Sequence, residues 1–135
     1  MARKRRNKKI KHINLKVLHK KAWKLISEYV RRSEKGICYT CGKHNKWQNT
    51  DCGHYIHHNN MDFVLMNLNC QCIYCNKFQH GNLGIYAERL IAEFGEPAVV
   101  KLRELDINTR NHKFTIFELE ELIKIYTQRL KEIEG

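Results

Sequence analysis

Two Cys-x-x-Cys pairs, Cys38/Cys41 and Cys72/Cys75, stand 30 residues apart and enclose Cys52-Gly53-His54-Tyr55 and Asn67; Asn76 follows the last cysteine directly. A thiolate pair two residues apart grips one side of a tetrahedral zinc, and two such pairs complete a closed structural site. The separation is larger than a minimal zinc ribbon needs, so the knuckles enclose further machinery. Hydrolysis of a phosphodiester is the chemistry these residues suit. It needs a water deprotonated in line with phosphorus, a counter to the charge on the phosphoryl oxygens, and stabilisation of the leaving 3′ oxygen. One imidazole and one divalent cation supply all three. His54 suits the general base, because a neutral imidazole titrates near working pH. Asn67 suits an amide that pins a loop. Asn76 offers a carbonyl oxygen to Mg2+ or Mn2+, hard cations that prefer oxygen ligands.

Plainer uses stand beside these. His54 could join Cys52 as a zinc ligand. His80 lies four residues after Asn76, on the same face of a helix, and is a second candidate ligand for Mg2+; with Gly81 next to it, it is equally a turn residue. His57 and His58 either meet phosphate or metal, or are solvated. Tyr55 and Trp47 could stack on an unpaired base or pack on the knuckles. Cys52 and Cys70 read as partly buried free thiols.

The elements that must position this set read as follows. Residues 1–13 are too charged to pack and read as a flexible basic arm. Residues 14–36 show apolar positions at three and four (Leu15, Leu18, Ala22, Leu25, Ile26, Tyr29, Val30), the signature of a basic amphipathic helix with Asn14 as N-cap and Gly36 at its end. Residues 37–82 form the zinc-knuckle core, with His54 on a short strand and a helix opening over Cys72–Gln79. Residues 83–135 are helical: one helix capped by Asn82, one started by Pro97 and running from Ala98 to Leu105, a loop INTRNHKF, and a last helix behind a Thr115/Glu118 capping box. The fold class expected is mainly α with a small β-hairpin.

Charge is uneven. Residues 1–35 carry 14 Lys/Arg against two acids, while the remainder is close to neutral, so the formal +11 lies in the first quarter. A field of that kind attracts a polyanion, and nucleic acid is the usual one. Arg3, Lys4, Arg5, Arg6, Lys8 and Lys9 of the arm, with Lys20, Lys24 and Arg31 of the helix, are the candidate DNA contacts; a solvated basic face is the alternative. No stretch is apolar enough to span a membrane. Reduced cysteines and the lack of an export signal point to a cytosol.

A His, then an Asn, then C-x-x-C-N resembles the HNH, or His-Me finger, nucleases. Over roughly residues 20–133 the chain more closely resembles the lambdoid-phage NinG (Rap) family of recombination endonucleases. The residues carrying that likeness are Asp51–Tyr55, Asn67, Gln71–Asn76, Gly81-Asn82, Tyr86, Phe94-Gly95 and Asn111–Thr115. The resemblance implies a zinc-stapled ββα-metal core, cutting of D-loops and Holliday-type junctions, and a homodimer. Gly53 departs from the HNH pattern, which has Asp directly before the base His. Strand alternation puts Asp51 on the same face as residue 53, making it the substitute metal ligand; a turn acid is its plainer reading. A zinc-stapled DNA-binding module without catalysis is the alternative function.

Overall fold

The structure is a computed structural model that describes the backbone of residues 2–134 and the side chains of residues 14–133. The chain falls into two units: Met1–Ile26 with Lys113–Gly135, and Ser27–His112.

Helix α1 spans Ala2–Ser33. The expected start at an Asn14 cap is corrected: the residues read as an arm fall within the helix bounds, because Lys and Arg are good helix formers and nothing before Asn14 breaks the run. The side chains of Arg3, Lys4, Arg5, Arg6, Lys8 and Lys9 lie outside the described residues. In the first unit, Ala22 and Ile26 of α1, with Leu119, Tyr126 and Leu130 of α4 (Ile116–Glu134), are buried. His19 meets the edge of Phe114 at 5.8 Å. The capping box forms as expected: Glu118 N–H donates to Thr115 Oγ1 and Thr115 N–H to Glu118 Oε1, each at 3.1 Å.

The second unit begins within α1, at Ser27, and takes in the last turns of that helix. Gly36, at φ 70°, turns the chain back, and a Cβ there would lie 2.0 Å from the Asn45 carbonyl, so only glycine fits. Strands β1 (Thr50–His54) and β2 (Leu68–Cys72) pair antiparallel, with Thr50 opposite Cys72 and His54 opposite Leu68. The connection between them contains two short 3-10 turns, Asn59–Met61 and Leu65–Asn67. A π-helical turn, Tyr74–Phe78, follows β2 in place of the expected α-helix. Helices α2 (Leu83–Phe94) and α3 (Ala98–Thr109) complete the unit.

The core lies under the hairpin: Met61, Tyr86, Leu90, Ala98 and Leu102 are buried, with Tyr39, Tyr55, Ile56, Val64 and Met66 packed around them. Each large side chain so buried stabilises by about 1.5–3 kcal/mol relative to exposure. Tyr86 couples α2 to both strands. Its hydroxyl donates to the Gly53 carbonyl at 2.8 Å and accepts from Asn69 Nδ2 at 3.0 Å.

One further helix boundary and one cap differ from expectation. α3 runs on to Thr109 rather than stopping at Leu105, held by buried Asp106, whose carboxylate and carbonyl both accept from Asn60 Nδ2. Asn82 precedes α2 in a left-handed conformation, but its side chain makes no cap; Nδ2 lies 3.8 Å from Cys75 Sγ instead. Among the described residues, no helix is long and apolar enough to cross a membrane.

Candidate functional site

The four knuckle cysteines converge. The Sγ atoms of Cys38, Cys41, Cys72 and Cys75 all lie within 4.8 Å of one another, and could hold a metal such as zinc. Zn–S bonds of about 2.3 Å set sulfur–sulfur edges of roughly 3.8 Å in a tetrahedron, and the Cys41–Cys72 edge is 3.7 Å. Each pair also folds as a knuckle, the second cysteine's N–H pointing at the first cysteine's sulfur at 3.4 Å. Burial would raise the Cys38 thiol, but hydrogen bonds from Thr40 and from backbone amides outweigh it and bring the thiol down to about 6. Cys72 is pushed up by burial to about 12. Thiols this close do not all ionise without a cation to offset their charge. Cys52 and Cys70 face each other across the hairpin, outside this cluster. Burial raises both thiols, Cys70 to about 11.

On this clamp the hairpin presents the other residues. His54 ends β1, and its Nε2 lies 3.0 Å from Asp62 Oδ1, with both side chains 16% exposed. The His57 ring sits 5.5 Å from the His54 ring. Asn67 is fully buried and does what a loop-pinning amide should do. Its Oδ1 accepts from Ile56 N–H at 2.8 Å, and its Nδ2 donates to the Ile56 and Met61 carbonyls at 3.0 and 3.3 Å. The loop after His54 is thereby fastened at both ends.

Asp51 and Asn76, 25 residues apart, meet: Asn76 Nδ2 donates to Asp51 Oδ2 at 3.0 Å. Lys77 Nζ stands 3.9 Å from the same oxygen. His57 Nε2 comes within 3.7 Å of where a Gly81 Cβ would be, and the Gly81 carbonyl accepts from Gln71, the cross-strand partner of Asp51.

Gln71 explains Gly53. Its carboxamide lies over residue 53, with Oε1 only 1.8 Å from a hypothetical Cβ there. The space that a side chain directly before His54 would take is filled from the opposite strand.

Other candidates go elsewhere. His80 is not on a helical face with Asn76: the π-helical turn stops at Phe78, and His80 is exposed at φ 51°. His58 binds buried Asp106 at 2.9 Å, bracing the loop against α3. Tyr55 packs on Tyr86 at 5.4 Å, and Trp47 lies under the guanidinium groups of Arg31 and Arg32 at 5.3 and 5.5 Å. Arg31 also bonds Ser27, so it braces the α1 end. Lys20 and Lys24 are exposed.

Three features carried no sequence signal strong enough to single them out: Asp62 as partner of His54, Gln71 over Gly53, and the aromatic pair Tyr74 and Phe78. Spacing alone does not identify an aspartate eight residues downstream as a histidine partner.

A sequence profile described as "NinG: Bacteriophage Lambda NinG protein" matches residues 1–135. "Protein ninG" of Escherichia phage lambda is 30% identical over 120 residues, covering 86% of this chain and 57% of that protein. "Protein ninG" of Escherichia phage 933W is 30% identical over 120 residues (86% and 58%), and that of Salmonella phage P22 29% over 118 residues (84% and 56%). The chain thus spans a little over half the length of these relatives. No solved structure matches it.

Proposed function

The chain belongs to the bacteriophage lambda NinG family, and on that premise we propose that it is an endonuclease for branched DNA that works by metal-assisted hydrolysis. The observation that carries the reading is local: a hairpin ending in His54, its loop fastened by Asn67, and a helical turn bringing Asn76 to Asp51. A zinc-binding module alone has no use for that arrangement. Four cysteines at the other end of the hairpin would hold a structural Zn2+ that cross-links the two knuckles.

In this reading Asp62 pairs with His54 Nε2 and fixes the ring, and the imidazole takes the proton of the attacking water. The Asp62 carboxylate then stabilises the imidazolium, as an orienting acid does in other acid–base pairs. Asp51 and Asn76 would hold the Mg2+ or Mn2+, which when bound supplies the positive charge for the phosphate and the leaving 3′ oxygen. The basic excess draws the protein to DNA without reading sequence. A homodimer would place two such centres across a junction.

The test is cleavage of linear, forked and four-way DNA with and without Mg2+, wild type beside His54→Ala. Cutting is expected only with the metal. His54→Ala should lower it by about 10²–10⁴-fold, with DNA affinity and zinc content unchanged. Undiminished cleavage by the variant removes His54 from the chemistry. A wild type that binds junctions yet never cuts them would leave a zinc-stapled DNA grip.

A further inference from the structure

The π-helical turn after β2 carries two aromatic rings into solvent. Tyr74 is 61% exposed and Phe78 70% exposed. They are not splayed at random: the rings stack on each other at 6.2 Å between centroids and 25° between planes. Gln79 Nε2 donates to the Tyr74 hydroxyl at 2.7 Å, closing the pair from one side. The turn is rigid at its root, because Cys75, between Tyr74 and Asn76, is buried in the cysteine cluster. The i→i+5 bonding of a π-turn widens the helix, and such turns gather at functional sites. Two large apolar rings held in water cost free energy, and nothing in the core of this unit needs them there.

We infer that Tyr74 and Phe78 form a stacking platform for an unpaired nucleobase at the branch point of DNA. The inference rests on the nuclease reading for its purpose and extends it to substrate choice. Three observations favour a base over a protein partner. Lys77, between the two rings in sequence and 63% exposed, supplies the cation that a backbone phosphate beside a stacked base requires. Asn76, in the same turn, is bonded to Asp51, so the platform borders the residues that would hold the catalytic metal. The chain as a whole carries a formal +11, held in its first 35 residues, which draws a polyanion to the protein. Bases in linear duplex are already stacked on their neighbours and offer no face to these rings. A branch does, so the platform discriminates branched from linear DNA before any bond is cut. Tyr55 and Trp47, the residues whose type alone suggests this role, are both engaged by protein partners.

The experiment is equilibrium binding of the zinc-loaded full chain, without Mg2+, to single-stranded, forked, four-way and linear duplex DNA. Wild type is compared with Tyr74→Ala, Phe78→Ala, the double variant and Phe78→Leu. A 2-aminopurine at the fork's first unpaired position reports stacking directly. Each alanine should weaken binding to forked and single-stranded DNA about ten-fold, leave duplex affinity within about two-fold, and relieve the 2-aminopurine quenching. Phe78→Leu, which keeps apolar area but loses the π-face, should behave as Phe78→Ala. Zinc content equal to wild type certifies the fold of each variant. Equal loss on every DNA, or none on any, overturns the proposal. So does a change of oligomeric state with fork affinity intact, which assigns the patch to contacts between copies. Because no step requires cleavage, platform-dependent fork binding by a wild type that never cuts would sustain this inference while removing the nuclease reading.

Discussion

Gly53→Ala is the substitution for which the structure gives the sharpest expectation. In an extended strand, alanine for glycine ordinarily stabilises, by about 0.5–1 kcal/mol, through the unfolded chain. Here the sign should reverse. The new Cβ would stand 1.8 Å from Gln71 Oε1 and 2.6 Å from its Cδ. Gln71 is fully buried, and its Nε2 donates to the Gly81 carbonyl at 2.8 Å and to Thr40 Oγ1 at 3.2 Å. Expelling the carboxamide breaks two hydrogen bonds of about 0.5–1.5 kcal/mol net each, and strands the buried Gly81 carbonyl at about 1–3 kcal/mol more. A loss of about 3 kcal/mol follows. The check is urea unfolding of zinc-loaded protein, read by tryptophan fluorescence, in a cycle with Gln71→Ala. With Gln71 already shortened the methyl has room, and Gly53→Ala should then cost less than about 1 kcal/mol, a coupling of roughly 2 kcal/mol. If Gly53→Ala is neutral, or if the two changes simply add, Gln71 is not what requires glycine at 53.

Cys72→Ser should lower both the zinc content of the purified protein and its thermal stability, read by metal analysis and thermal melting; one retained equivalent would point to a different set of ligands. Asp106 is buried, which would raise its carboxyl, but donors from Asn60, His58 and Arg110 outweigh this and hold it at about 2 against an ordinary 3.8. Its folded value being depressed, the stabilisation is complete above 3.8 and disappears as pH falls toward 2. Asp106→Asn should therefore flatten acid unfolding across that window, seen by circular dichroism; an unchanged acid limb would show that the carboxylate is not the group responsible. Deleting residues 1–12 removes seven Lys/Arg. At a slope contribution of about 0.9 per duplex phosphate neutralised, the log–log salt dependence of DNA binding should flatten by up to about six, equally on all sequences. An unaltered slope would exclude the segment from DNA contact.

What could be read from the residues alone was whatever depends on short-range pattern. Cys-x-x-Cys spacing identified the tetrad because a knuckle is a local turn whose two sulfurs face one way wherever it is placed. The Thr115/Glu118 capping box formed because it closes within a single turn. Asn67 reads as a loop residue from its spacing of five before Cys72, and its carboxamide bonds Ile56 and Met61 of that loop. The likeness to the NinG family, carried by Asp51–Tyr55, Asn67 and Gln71–Asn76 among others, is what the whole-chain match bears out. Where the pattern was local but its continuation was not, the reading went astray. The Asn14 cap yielded to a run of good helix formers, the 105–109 boundary to a carboxylate buried by a loop some 46 residues away, and the His80 face to a turn that stopped short.

The tertiary structure alone decided the partners. That His54 would meet Asp62, that Asp51 would meet Asn76, that a glutamine from one strand would occupy the place of an acid on the other, and that Tyr74 and Phe78 rather than Tyr55 and Trp47 would be left in water are all outcomes of hairpin register and core packing. A side chain's neighbours across a fold are set by the geometry of every element between them, whereas its own backbone needs only the few residues on either side. Ligand types and their order are therefore properties of this sequence, and the pairing that would turn them into a site is a property of its fold.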